Sequence, residues 1–212
     1  MSSEAPVIVT ATRLETLGVL LWTRARVLRA GVGLSRLDPR REWPAALVSC
    51  GLAGSLAPEI GPGAVVVPDY VEDPERGRYD CDPALTADLR RAARRLGVPT
   101  LAGGMLTAPR LVTGAERARY AARGLIAVDM EAADLARAGH RIAALKIVLD
   151  SPGAELSDAW LRPLRAMADL GLWPQLAFLA ARAPIYAARA GRIAALAVQP
   201  RPLPGDVLPD HG

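Results

Sequence analysis

Two carboxylates flank a methionine in Asp129-Met130-Glu131, where the apolar run Leu125-Ile126-Ala127-Val128 gives way to a helix-forming stretch from Ala132 to Ala138. A carboxylate at the carboxyl end of a parallel strand points into the crevice where open α/β sheets bind ligands, and Glu131 could there grip a sugar diol. From this stretch alone a plainer role competes: Asp129 caps the helix and Glu131 favours its positive end. A second pair lies in Ile142-Ala143-Ala144-Leu145-Lys146-Ile147-Val148-Leu149-Asp150, where Lys146, Val148 and Asp150 share one face of a strand. Charge in such a run is costly unless paired or functional. Either Lys146 and Asp150 pair with one another, or Lys146 snorkels from an edge, or Asp150 serves a site. Arg13 and Glu15 place a cation and an anion at the end of a further short apolar run, Pro6 to Thr12.

Several elements must position these groups. Pro6 to Thr12, rich in β-branched residues, suits a buried strand. Residues 24–33 read as a strand followed by a tight loop at Gly31 and Gly33, and Ser35 to Trp43 as a short helix with Pro39 in its first turn. Ala45 to Cys50 is the next buried strand. It runs into Gly51-Leu52-Ala53-Gly54-Ser55-Leu56-Ala57-Pro58, read as a loop whose glycines let backbone amides approach a ligand. That loop matches neither dinucleotide nor P-loop spacing. A turn and strand follow over Ile60 to Pro68, then a polar surface excursion over Asp69 to Pro83. Thr86 to Leu96 is an amphipathic helix and Thr100 to Leu106 a strand. Thr113 is expected to cap a helix through Arg123, with Glu116 completing a capping box.

At 212 residues and 51% hydrophobic, the chain can bury a substantial core. One domain over residues 1–198 is expected, with the proline-rich residues 199–212 as a loose tail. Lys146 is the only lysine, and the formal charge of +4 is spread over many arginines, too diffuse to argue for nucleic acid. Cys50 and Cys81 suit neither a disulfide framework nor a structural zinc site. With only His140 and His211 present, histidine catalysis and metal binding are poorly supported, and no metal is expected. The start Met-Ser-Ser-Glu lacks the features of a signal peptide, and no uninterrupted apolar run reaches the roughly 20 residues that span a bilayer, so a cytoplasmic location is expected. From Glu155 onward the chain reads as helical with breaks at Pro163, Pro174 and Pro184. Pro184 to Val198 sets Ile185, Tyr186, Ile193, Leu196 and Val198 beside Arg189 and Arg192. Such a helix packs on the sheet or another subunit, the favoured outcome, or lies on a membrane surface.

Four stretches carry a resemblance to a known family. Val7 to Thr12 ending at Glu15, Gly51 to Pro58 followed by Gly63 to Pro68, Val128 to Ala132, and Ile147 to Asp150 occur in the order seen in the nucleoside phosphorylase and nucleosidase superfamily. That group includes purine nucleoside phosphorylases, methylthioadenosine/S-adenosylhomocysteine nucleosidases and futalosine hydrolases. Within it the chain most resembles the hopanoid-associated phosphorylases, which share the Gly-Leu-Ala-Gly form and a stretch like Arg78-Tyr79-Asp80-Cys81-Asp82. The resemblance implies a three-layer αβα sandwich with a central mixed, largely parallel sheet. It also implies cleavage of the bond between ribose and a purine, through an oxocarbenium-like transition state.

By the same resemblance, Glu131 accepts bonds from ribose hydroxyls and Met130 packs against the sugar. Leu111 and Val112 line the base pocket, and Gly51, Ala53 and Gly54 lie under the ribose. Asp150 assists the leaving base at N7, which calls for a raised carboxyl pKa in a dry pocket. Glu15 corresponds to the residue that orients water in hydrolytic members. Arg13, Gly31 and Gly33 are candidates for holding phosphate, the one cosubstrate implied; no cofactor is. Leu52 and Leu149 stand where serines are common, and Lys146 where arginine is frequent. The subfamily likeness favours phosphorolysis, with adenine released from adenosylhopane. A hydrolytic methylthioadenosine/S-adenosylhomocysteine or futalosine nucleosidase is the alternative enzyme, and a nucleoside-binding protein without turnover the alternative class. A homo-oligomer is implied. A lipid-linked substrate would suit peripheral contact of the C-terminal helices with the inner face of the cytoplasmic membrane.

Overall fold

The structure, a computed structural model, describes residues 5–36, 44–137, 140–157, 159 and 169–198. Two long strands form its centre, β3 (Ala46–Ser55) and β10 (Arg141–Asp150), parallel from the pair Arg141/Ala46 to Asp150/Gly54. Their side chains alternate between two cores. Ala143, Leu145, Ile147, Val48 and Cys50 face one, whereas Ile142, Ala144, Val148, Leu47 and Ala53 face the other. Both faces are therefore covered, as expected for parallel strands.

The first core is closed by α1 (Arg13–Leu20), α2 (Pro83–Arg95) and α5 (Trp173–Val198). The second is closed by α4 (Ala132–Arg137). This is the three-layer arrangement with a mixed, largely parallel sheet. Its order is β6 (Gly77–Asp80), β5 (Tyr70–Asp73), β8 (Gly104–Thr107), β9 (Leu125–Asp129), β3, β10, β4 (Val65–Val66) and β7 (Thr100–Leu101). Two further strands, β1 (Val7–Thr10) and β2 (Val27–Arg29), join through β1 to the first half of β3.

One detail of register creates the crevice. β1 pairs with β3 up to Val9/Ser49, and β9 pairs antiparallel on β3 only from Gly54/Val128. Between Ser49 and Gly54 that edge of β3 has no strand partner among the described residues. The sheet changes neighbours there, which is where such folds open a binding crevice.

Several sequence expectations change. Gly51 to Ser55 is the second half of β3 and not a loop, because the glycines admit side chains from neighbouring elements against an extended backbone. Asp69 to Pro83 is a β5–β6 hairpin; β6 is largely exposed, so its polar composition hid a sheet edge. Thr100 to Leu106 divides into β7 and β8 around Gly103, whose φ of 140° leaves the extended region. Thr113 precedes α3 (Gly114–Ala121) but makes no side-chain cap bond, and the helix ends two residues before Arg123; Glu116 pairs with Arg110 instead. Pro184 lies inside a continuous α5 and Pro174 in its first turn. Residues 37–43 of the expected Ser35 to Trp43 helix, Pro163 and the tail 199–212 lie outside the described residues.

The apolar side of α5 is buried, with Tyr186, Ile193 and Val198 in the core, so this helix packs on the sheet. No helix of the described residues is long and apolar enough to cross a membrane. α5 crosses α1 at a glycine contact: a Cβ at Gly18 would sit 2.6 Å from the Ala187 carbonyl, and one at Gly191 would overlap the Gly18 carbonyl. Alanine at Gly191 would gain about 0.5–1 kcal/mol of helix preference. The clash is with backbone that cannot rotate away, and overpacking of this kind costs about 1–3 kcal/mol. A net loss is expected for Gly191→Ala, read as a lower midpoint in thermal unfolding.

Candidate active site

Three strand ends deliver carboxylates to the unpaired edge of β3. The first follows β1. Thr12 caps α1, the Glu15 amide donates to its hydroxyl at 3.2 Å, and Glu15 Oε2 accepts from the Thr12 amide at 2.7 Å. This is a reciprocal capping box, and its Thr-x-x-Glu spacing was present in the sequence. Oε2 also accepts from the Ala11 amide and the Thr12 hydroxyl, while Oε1 accepts the Leu52 amide at 2.8 Å. Glu15 thereby satisfies a donor that no strand reaches. A Cβ at Gly51 would overlap its carboxylate, which is why glycine stands there.

The second comes from the end of β9. Asp129 accepts the Ala132 amide at 3.2 Å and so caps α4, and its Oδ1 accepts the Thr107 hydroxyl at 2.7 Å. Its Oδ2 lies 2.9 Å from Lys146 Nζ, which is also 3.9 Å from Glu131 Oε2. Glu131 Oε1 accepts the Gly33 amide at 3.0 Å, across the sequence from a turn in which Gly31, Gly33 and Leu34 all have positive φ. Lys146 and Asp150 therefore do not pair with one another; Lys146 serves the Asp129-Met130-Glu131 stretch. Burial would strip the proton from Lys146, but the charges of Asp129, Glu131 and Glu15 outweigh it and hold the pKa above the ordinary lysine value. Burial, reinforced by Asp129, pushes Glu131 up to about 7, against the pull of Lys146 and the Gly33 amide.

The third is Asp150, at the end of β10. Its Oδ2 accepts from Arg117 Nη2 at 2.6 Å and from the Leu156 amide at 3.0 Å. Arg117, on α3, is 2% exposed and also donates to the carbonyls of Val112 and Ser55, both at 2.8 Å. Glu155 stands 3.3 Å from its Nε and accepts the Gly114 amide. Nothing in Glu-Arg-Ala-Arg marks Arg117 as buried, since Arg119 of the same helix is exposed. Asp150 Oδ1 faces Gly54, where a Cβ would approach within 2.8 Å. There a narrow cavity of about 40 Å³ is lined by Gly54, Leu111, Val112, Asp129, Met130 and Asp150 among others. It is far below the roughly 300 Å³ of a typical ligand site. Beside it, sharing Arg110 and Leu111, lies a depression of about 610 Å³ that reaches Glu155, Leu156 and Gln175.

Along this edge Glu15 meets Gly51 and Leu52, Lys146 holds Asp129 and Glu131, and Asp150 meets Gly54, where Leu111, Val112 and Met130 line the same small cavity. The phosphate candidates are not placed there alike. Arg13 is exposed on the first turn of α1, and the Gly33 amide is committed to Glu131. A family model described as the phosphorylase superfamily matches residues 41–161, from before β3 to beyond Asp150. The chain belongs to the phosphorylase superfamily. It is thus an enzyme of the nucleoside phosphorylase and nucleosidase type.

Solved structures of nucleosidases and of a futalosine hydrolase share its fold. An S-adenosylhomocysteine nucleosidase from Streptococcus pyogenes, in complex with 5-methylthiotubericidin, is similar at a TM-score of 0.71 and 18% identity, over 96% of this chain and 99% of that one. A 5'-methylthioadenosine/S-adenosylhomocysteine nucleosidase from Neisseria meningitidis, with methylthio-immucillin-A, gives 0.69 and 17% over 91% and 97%. Futalosine hydrolase of Helicobacter pylori gives 0.67 and 14% over 92% and 97%. No curated protein sequence matches the chain. Glu15, Arg13, Gly31 and Gly33 precede the residues matched by the family model.

Proposed function

We propose that this member of the phosphorylase superfamily cleaves the N-glycosidic bond of a purine nucleoside, releasing adenine from an adenosyl compound. The observation that carries the reading is the placement of Glu131 and Asp150 around the unpaired glycine edge of β3. Glu131 accepts hydrogen bonds from the ribose hydroxyls, Met130 packs on the sugar, and Leu111 and Val112 hold the base. As the bond from C1' to N9 breaks, its electron pair passes into the purine, and a proton that Asp150 has taken up from solvent on Oδ1, the oxygen facing Gly54 rather than Arg117, goes to N7. The carboxylates beneath the sugar stabilise the cation that develops at C1'.

The nucleophile then adds to C1'. Water, oriented by Glu15 Oε1 and giving up a proton to that carboxylate as its oxygen bonds to C1', fits the local charge better than phosphate. Glu15, Asp129 and Glu131 all bear on this region, Lys146 is paired, and Arg13 is exposed. A phosphate dianion would meet net negative charge at close range. Phosphorolysis of adenosylhopane is the second reading; it rests on the likeness to hopanoid-associated phosphorylases and on Arg13 and the Gly31 turn as phosphate ligands.

Adenine release from methylthioadenosine, S-adenosylhomocysteine and a lipid-linked adenosine, with and without phosphate, separates these readings. Free ribose product formed without phosphate supports hydrolysis; ribose 1-phosphate product that requires phosphate supports the second reading. Nucleoside binding without release from any substrate overturns both and leaves a binding protein. A further expectation concerns pH. Glu131 accepts two hydroxyl donors only when ionised, and its pKa is about 7. The ratio of kcat/KM for a riboside to that for an analogue lacking both hydroxyls should therefore rise with pH through about 7, since groups that serve both substrates cancel in the ratio. A ratio flat from pH 6 to 8 would contradict the role.

A further inference from the structure

Four large apolar side chains stand in solvent beside one another at the end of α1: Leu17 is 61% exposed, Leu20 52%, Leu21 72% and Trp22 45%. Scattered exposed leucines need no explanation, but a contiguous patch does. Leu17, Leu20 and Leu21 are three and four residues apart and share one helix face. Leu20, Leu21 and Trp22 wall a shallow depression of about 530 Å³ together with Arg24 and Val198, the last residue of α5.

Along the two segments that form this edge, the charge has one sign. Residues 16–36 and 170–198 contain no aspartate or glutamate. Arg24 and Arg26 are exposed after α1, and Arg182, Arg189 and Arg192 line the outward side of α5. The Gly18–Gly191 crossing holds the two helices together, and the Arg192 guanidinium lies 5.1 Å from the Trp22 ring centre. With its apolar side buried, α5 supplies cations to this edge, and α1 supplies the exposed apolar groups.

We propose that the α1–α5 edge docks on an anionic lipid bilayer surface. Leucines and a tryptophan enter the headgroup boundary while the flanking arginines meet lipid phosphates, the combination that suits an interface of this kind. A second copy of the chain fits poorly, because a twofold contact places the same patch against itself and would set these arginines face to face. The contact involves neither Glu131 nor Asp150 and does not depend on which nucleoside is cleaved.

The test is co-sedimentation of the full chain with phosphatidylglycerol-containing vesicles and with pure phosphatidylcholine vesicles. Binding to the anionic vesicles, weakened by salt, is expected. It should fall at least tenfold in Leu21→Asp/Trp22→Asp and in Arg24→Glu/Arg192→Glu, with unchanged thermal unfolding as the check of the fold. Binding indifferent to lipid charge, no binding at low salt, or variants that bind like the parent would overturn the proposal. So would a dimer of the parent chain that Leu21→Asp/Trp22→Asp converts to monomer, since the patch would then be a protein interface. Vesicle binding is read without turnover, so these outcomes stand apart from success or failure of the nucleosidase assay.

Discussion

Asp150→Asn is expected to lower turnover by about a hundredfold or more, the size of effect that general-acid catalysis supplies. Asparagine keeps the shape and lets an amide oxygen accept from Arg117 Nη2 and the Leu156 amide, which now bond to Oδ2. It cannot hand a proton to the leaving base. Substrate affinity should change little, since the ribose is gripped by Glu131, so the loss should fall on kcat and equally on kcat/KM. Steady-state rates of adenine release, with a binding measurement on the inactive variant, check this. Turnover within a few-fold of the parent would remove Asp150 from proton transfer. Arg117→Gln, tested beside it, probes the support: Arg117 ties Asp150 to the carbonyls of Ser55 and Val112, so its loss should reduce kcat by letting the carboxylate drift.

The second large effect is on stability. Lys146 is buried beside Asp129 and Glu131, and Lys146→Met removes the cation while leaving both carboxylates in place. Breaking a buried ion pair from one side costs about 3–5 kcal/mol, because the remaining charge has lost both water and partner. The penalty should depend on pH in a definite direction. Glu131 already has a folded pKa of about 7 against an ordinary 4.5, so the folded state binds its proton more tightly than the unfolded chain. Its contribution is most favourable below about 4.5 and is lost as pH rises towards 7. Without Lys146 the carboxyl moves higher still, and the window extends upward. Urea unfolding of Lys146→Met should therefore show a smaller deficit at pH 5 than at pH 8. Lys146→Arg, which keeps the charge, should recover most of the loss; equal destabilisation by both would show that packing, not charge, is at stake.

Much of the scaffold was legible. Leu125 to Val128 and Ile142 to Leu149 read as strands because a strand buried on both faces is a continuous apolar run; the second ends in Asp150, and the first leads through Asp129 to Glu131. Other parts were hidden by their own chemistry. β6 is a polar sheet edge and looked like surface chain. Gly51 to Ser55 looked like a loop because glycine is rare in strands; here Glu15 and Asp150 occupy the space that Cβ atoms would take. Arg117 looked like one more arginine on a solvated helix.

The sequence by itself determined which chemical groups are available: the carboxylates Glu15, Asp129, Glu131 and Asp150 at strand ends, one lysine, and glycines where backbone must be approached closely. Those follow from local pattern, since burial and strand period are written in neighbouring residues. Only the tertiary structure decided who pairs with whom. Lys146 belongs to Asp129 rather than Asp150, Arg117 belongs to Asp150, and Gly33 bonds Glu131 across 98 positions of chain. Such partners are set by strand register and by the change of neighbour along one edge of β3. No window of sequence contains that information, because the groups meet only after the sheet has formed.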